Sequence, residues 1–153
     1  MNLIPSFKKK GFFSKEENSL IVEAIRQAEQ QTSGEIRVFI ETRCRFVDPL
    51  DRAAEIFWNL KMDYTEFHNS VLLYVAVSDQ QFAIFADTGI HGKLGNDYWQ
   101  QQVAVLSKHF SNENYTKALV KVIHDIGAAL HEHFPFDPNT DKNELPDDIV
   151  FGK

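Results

Sequence analysis

The sequence predicts an α/β domain built on a mixed β-sheet. Three observations carry this. Residues 71–77 form an unbroken apolar run, as in a strand covered on both faces. Residues 35–42 alternate, with Ile36, Val38 and Ile40 on one face and Arg37, Phe39 and Glu41 on the other. Helix-period apolar stripes precede, separate and follow these runs.

The first helix starts at Ser14, with Glu17 at the spacing of a capping box. Its stripe is Leu20, Ile21, Ala24, Ile25 and Ala28. Thr32-Ser33-Gly34 stops it, with Gly34 suited to the turn beyond a helix C-terminus. The alternating strand follows. Asp48-Pro49 then reads as an N-cap with proline at the first helical position. The stripe of this second helix is Leu50, Ala53, Phe57 and Leu60.

A helix between strands 35–42 and 71–77 implies a parallel, right-handed crossover. Ser78-Asp79-Gln80 has room only for a hairpin, so residues 81–86 return antiparallel. The central strand is therefore residues 71–77, with helices expected on both faces. Gly89, Gly92 and Gly95 then read as a glycine-spaced connecting loop. Asn96 or Gly95 caps a further helix with Trp99, Val103, Leu106 and Phe110 on its stripe. After a polar loop at 111–114, the last stripe runs Tyr115, Ala118, Leu119, Val122, Ile123, Ile126 and Leu130. From Pro135 the chain turns acidic and proline-rich. Residues 1–135 are expected to form the domain and 136–153 an acidic surface arm, tied down by Ile149, Val150 and Phe151.

At 153 residues the chain suits one domain that needs no staple. Its 13 phenylalanines imply aromatic-rich packing. With 22 acids against 16 Lys and Arg, the net charge is −6, which argues against a nucleic-acid partner. A single cysteine, Cys44, excludes an intrachain disulfide and fits a reducing compartment. It lies between Arg43 and Arg45 and reads as a structural thiol. Residues 1–11 place their lysines after their few apolar residues, the reverse of a signal peptide. No apolar run approaches the ~20 residues of a membrane span. The expected location is cytoplasmic, with the start of the chain, residues 1–11, a frayed arm.

Several clusters invite chemistry. His131 and His133 diverge on a helix, and Pro135 stands where a zincin needs its second histidine. Gly89, Gly92, Lys93 and Gly95 miss the phosphate-loop spacing, and Leu94 follows the lysine. Glycine-rich backbone ahead of a helix still offers N–H groups to an anion. The fullest cluster is Asn69, Asp87 and Asp97, with His68, Gly89, His91 and Asn96 around them. The hairpin brings Asn69 to within about 10 Å of Asp87. Carboxylate and amide oxygens suit a hard cation, Ca²⁺ or Mg²⁺. Capping and turn roles account for the same residues. No serine or cysteine nucleophile stands in a recognisable frame.

Taken together, Thr32-Ser33-Gly34-Glu35-Ile36-Arg37-Val38, Asn69 leading into residues 71–76, Phe82-Ala83-Ile84 and Asp87-x-Gly89-Ile90-His91 resemble the TPM domain family. Trp99, Phe110, Tyr115, Ala118-Leu119, Ile123, Gly127, Leu130 and His133-Phe134-Pro135 complete the pattern. The resemblance implies a three-layer α/β/α sandwich with a central mixed sheet. It also implies, for some branches, acid phosphatase activity with divalent cation binding. The soluble bacterial-type branch further implies an accessory module working with a membrane-associated protein partner. The chain departs from the phosphatase-like pattern at two places. His68-Asn69-Ser70 stands where that branch reads Asp-Asn-Gly, and Asn96 stands where it carries an aspartate. The expectation is therefore a non-enzymatic interaction module, with a weak cation-dependent acid phosphatase as the alternative.

Overall fold

The computed structural model describes residues 13–110, 115–138 and 149–152. Helix α1 (Lys15–Glu29) leads into strand β1 (Glu35–Glu41), helix α2 (Pro49–Asn59) and strand β2 (Ser70–Ala76). Strand β3 (Gln81–Ala86), helices α3 (Thr88–Leu94), α4 (Asn96–Phe110) and α5 (Tyr115–His133), and strand β4 (Ile149–Phe151) follow. The expected arm at the start of the chain, the loop at 111–114 and the acidic stretch 139–148 lie outside the described residues.

The sheet has the order β3-β2-β1-β4. Strands β1 and β2 are parallel with Ile36 opposite Val71, as the crossover requires. Strands β2 and β3 are antiparallel with Leu73 opposite Ile84. β4 joins the far edge, parallel to β1, with Val38 opposite Ile149. The fold is thus α/β with a mixed sheet, and β2 lies inside it, buried along its whole length.

Helices cover both faces. One apolar core joins Ile36, Val38, Val71, Leu73 and Val75 to α1, α4 and α5. The other joins Phe39, Leu72 and Tyr74 to Ala53, Ile56 and Phe57 of α2. This second cover explains why all of β1 is buried, although its alternate side chains are Glu35, Arg37, Phe39 and Glu41. The phenylalanines link layers: Phe13 meets Tyr115, Tyr115 meets Phe110, and Phe110 meets Phe82 at centroid distances of 6.0, 4.7 and 4.7 Å.

The N-caps of α1 and α2 form as the sequence indicates, whereas α1 closes at Gln30 and Gly34 does not take the left-handed turn. Ser14 and Glu17 make both bonds of the capping box, and Asp48 accepts from the Leu50 N–H. Three details of the elements differ. Leu20 and Leu50 are exposed, because each stands at the margin of its buried arc, and Ile56 takes the inner place on α2. Strands β1 and β2 end at Glu41 and Ala76, one residue earlier than the apolar pattern reaches. The glycine-spaced segment is the helix α3 rather than a loop. Asp87 caps it with an acceptor for the Thr88 N–H, and only Gly95, at φ 82°, keeps a turn conformation.

Candidate functional site

Three short segments meet at the end of the sheet where β1 and β2 begin and β3 ends. They are Thr32-Ser33-Gly34, His68-Asn69-Ser70 and the Asp87–Gly89 turn. The parallel pairing sets Glu35 beside Ser70, and the hairpin sets Asp87 beside Ser70, whose carbonyl accepts the Asp87 N–H at 2.9 Å. The Glu35 N–H donates to the Asn69 carbonyl at 3.4 Å. The expected proximity of Asn69 and Asp87 therefore follows from strand register.

Asp87 is 3% exposed, and both of its carboxylate oxygens are engaged. Oδ1 accepts the Thr88 N–H at 2.7 Å, and Oδ2 lies 3.1 Å from His68 Nδ1. His68 reaches it from a left-handed backbone, φ 52°, which histidine tolerates better than most residues. That conformation also turns the His68 carbonyl toward the Gly89 N–H, at 2.8 Å. Gly89 is required there: a Cβ would lie 2.1 Å from the Phe67 carbonyl oxygen and 2.5 Å from that of His68.

Asn69 is 1% exposed. Its Nδ2 donates to Ser33 Oγ at 3.1 Å, and its Oδ1 has no partner among the described residues. Gly34 permits the approach, since a Cβ there would lie 3.0 Å from the Asn69 carbonyl oxygen and 2.7 Å from Leu130 Cδ2. Thr32 Oγ1 donates to the Phe134 carbonyl and accepts the Gly34 N–H at 3.0 Å, tying the segment to the end of α5. Ser70 Oγ donates to the Met62 carbonyl.

The structure thus brings together His68, Asn69, Asp87 and Gly89. His91 lies exposed on α3, and Asn96 and Asp97 stand exposed beyond its far end. A seven-residue helix spans about 10 Å, which is the separation it imposes between Asp87 and that pair. Among the described residues, no group of three His, Cys, Asp or Glu side chains is placed to hold a metal ion. Ser33, part of a helix stop and of the TPM-like pattern in the sequence, joins the cluster through its bond to Asn69. The parallel crossover was the available signal, because it sets the starts of β1 and β2 side by side.

A second polar group lies at the opposite end of the sheet. Arg52 Nε and Nη2 each donate to a Glu41 carboxylate oxygen at 2.9 Å, and Tyr74 donates its O–H to Glu41. Arg52 also pairs with Glu55. The bonds to Glu41 hold the Arg52 guanidinium more firmly charged than usual, against the opposing effect of burial. Burial first, and then the Glu41 contact, push the Tyr74 phenol far above the tyrosine range. A cleft of about 530 Å³ opens here, lined by Glu41, Thr42, Arg43, Arg45, Phe46 and Arg52. No sequence motif announced it, since Glu41 and Arg52 stand eleven residues apart on different elements.

The sequence profile of the TPM domain matches residues 6–129, most of the chain. The chain belongs to the TPM domain family. This TPM domain is similar to the BA42 protein of the psychrophilic bacterium Bizionia argentinensis, whose structure was solved by NMR. The two share 42% identity, the match covers 95% of this chain and 99% of BA42, and the TM-score is 0.85. The N-terminal domain of a P. gingivalis protein matches at 18% identity, over 83% of each chain, with a TM-score of 0.64. The N-terminal domain of cg2496 from Corynebacterium glutamicum matches at 14% identity, over 85% of this chain and 86% of that one, with a TM-score of 0.58. These two share the fold. No curated protein gives a significant match. Among the described residues of the TPM domain, no helix is long and apolar enough to cross a membrane.

Proposed function

We propose that this TPM domain is a non-enzymatic interaction module that acts through its surface on a membrane-associated partner. One observation carries the reading: both oxygens of Asp87, a buried carboxylate of the cluster, are already taken by Thr88 and His68. A hard cation requires several oxygen ligands with anionic charge among them. The residues gathered at this end supply the engaged Asp87 carboxylate, an amide and hydroxyls, with Glu35 at the start of β1, while Asp97 stands a helix away. This donor set offers little free anionic charge to hold Ca²⁺ or Mg²⁺.

The second reading is a weak divalent-cation-dependent acid phosphatase. It is favoured by the buried Oδ1 of Asn69, which has no partner among the described residues and which desolvation makes costly to leave without a donor or cation.

An aryl phosphate assay between about pH 5 and 8, with and without Mg²⁺ or Ca²⁺, separates the two. The expected outcome is no turnover above background. Turnover abolished by Asp87→Asn or by Asp97→Asn, with melting unchanged, would establish the phosphatase instead. Activity surviving both substitutions would belong to a contaminant.

A further inference from the structure

Strand β3 forms one edge of the sheet, with β2 on its inner side and, among the described residues, no strand on its outer side. We propose that this edge pairs with a second copy of the chain, β3 against β3 in antiparallel register, giving a two-fold dimer with one continuous sheet. The inference goes beyond the proposed function and holds whether or not the domain is an enzyme.

The register identifies the free groups. The Asp87 N–H bonds the Ser70 carbonyl at 2.9 Å, and Ala86 stands opposite Val71. Direction alternates along an antiparallel ladder, so Gln81, Ala83 and Phe85 also turn their N–H and C=O groups to β2. Phe82, Ile84 and Ala86 turn theirs outward, where they have no hydrogen-bond partner among the described residues. Natural sheets blunt such an edge with lysine, proline or a bulge. Residues 80–86 contain no charge and no proline, and the pairing of β3 with β2 is unbroken.

The order of side chains selects a second copy as the occupant. With Ile84 opposite Ile84 of the second copy, Phe82 faces Ala86 and Ala83 faces Phe85. Phe82, Ile84 and Ala86 lie on the α4 side of the sheet, and Ala83 and Phe85 on the α2 side. Large therefore meets small on both faces, while every outward N–H and C=O finds a partner across the join. A foreign strand carries no such built-in match.

Charge leaves the approach open. A net charge of −6 opposes self-association in general, and least where no charge stands. Residues 98–107 of α4, which packs on β3 through Phe110 and Phe82, are also uncharged. The acids at the two ends of β3 are engaged within the chain. Asp79 accepts the Cys44 N–H at 2.8 Å, and Asp87 holds Thr88 and His68. Trp58, 51% exposed on α2, lies edge-on to Phe85 at 6.2 Å and extends the apolar surface beyond the strand. A two-fold axis closes the pair, and the opposite edge, β4, has only three residues with which to template further copies. The contact is centred on a single strand, so a weak dimer is expected.

The test is sedimentation equilibrium of the full chain from about 10 μM to about 1 mM, with amide exchange followed by NMR at both ends of that range. The mass should rise from the 17.6 kDa of one chain toward twice that value. Exchange at Phe82, Ile84 and Ala86 should slow by about fivefold or more at the higher concentration. Added salt should strengthen the pair, because it screens the repulsion between like-charged copies. Ala86→Pro removes an outward N–H that bonds nothing within the chain, and Trp58→Lys places a charge beside the edge at an exposed position. Each should weaken association about tenfold or more. Trp58→Lys should melt close to the wild type, and it keeps the test decisive if Ala86→Pro does not fold. A single-chain mass at every concentration would overturn the proposal. So would a dimer that leaves the edge amides unprotected, or one that Trp58→Lys does not weaken. Protection of those amides by a foreign extended peptide, with the chain monomeric throughout, would overturn the pairing and reassign the edge to peptide binding.

Discussion

Gly89 shows how one residue type can serve geometry ahead of chemistry. Its N–H bonds the His68 carbonyl, and any Cβ would strike the backbone of Phe67 and His68. Backbone cannot swing aside as a flexible side chain does. Gly89→Ala should therefore cost about 1–3 kcal/mol in denaturant melts, the usual penalty of overpacking. A cost near zero would mean that the 67–68 segment yields. Tyr98 offers a pH test. Burial, and then the negative charge of Asp125, push its phenol up from 10.0 to about 12. The folded chain thus keeps this proton to higher pH than the unfolded chain does. Its contribution to stability is fully present below pH 10 and is lost as pH rises from 10 toward 12. Tyr74, also raised, acts in the same direction. Melts at about pH 9 and about pH 11 should show the fall, and Tyr98→Phe should lessen it.

At the scale of elements, burial followed the stripes wherever a stripe faced the sheet. Trp99 is 4% exposed on α4, edge-on to Tyr98 at 4.9 Å, with Leu106 and Phe110 buried on the same helix. Trp99→Ala should cost about 3–5 kcal/mol. A loss below about 1 kcal/mol would show that Trp99 contributes little to the core. Helix α3 marks where the reading of elements stopped short. Three glycines in seven residues argue for a loop on propensity alone, because glycine costs about 1 kcal/mol in a helix. The Asp87 cap and the burial of Ile90 outweigh that cost here.

For the whole molecule, the sheet gains its fourth strand from the distant chain end. Ile149 is buried against β1, and the Gly152 N–H donates to the Ile40 carbonyl at 2.6 Å. A parallel strand brought from about a hundred residues away is a non-local pairing, invisible to local periodicity. Ile149→Ala should destabilise by about 2–5 kcal/mol, the range for a large aliphatic side chain lost from a core. Melting at the wild-type temperature would show that β4 adds nothing to the stability of the domain. The two polar clusters lie at opposite ends of the same sheet. The parallel strands start at the Asn69–Asp87 cluster and end at the arginine cleft.

Local pattern in this sequence determined the helix stripes, their caps at Ser14 and Asp48, the central strand and the relative directions of the first three strands. The physical reason is that hydrophobic period, capping chemistry and loop length act over a few residues. It also determined that Asn69 and Asp87 lie close, because a tight hairpin leaves no other register. Tertiary structure decided the rest. It brought Ser33 to Asn69, kept Asp97 a helix length from Asp87, converted the glycine segment into α3 and recruited residues 149–151 as β4. It also buried Glu41 and closed the Arg52 fork on it. Each of these depends on packing between residues far apart in the chain, where the gain comes from covering a common surface and no local pattern records the partner.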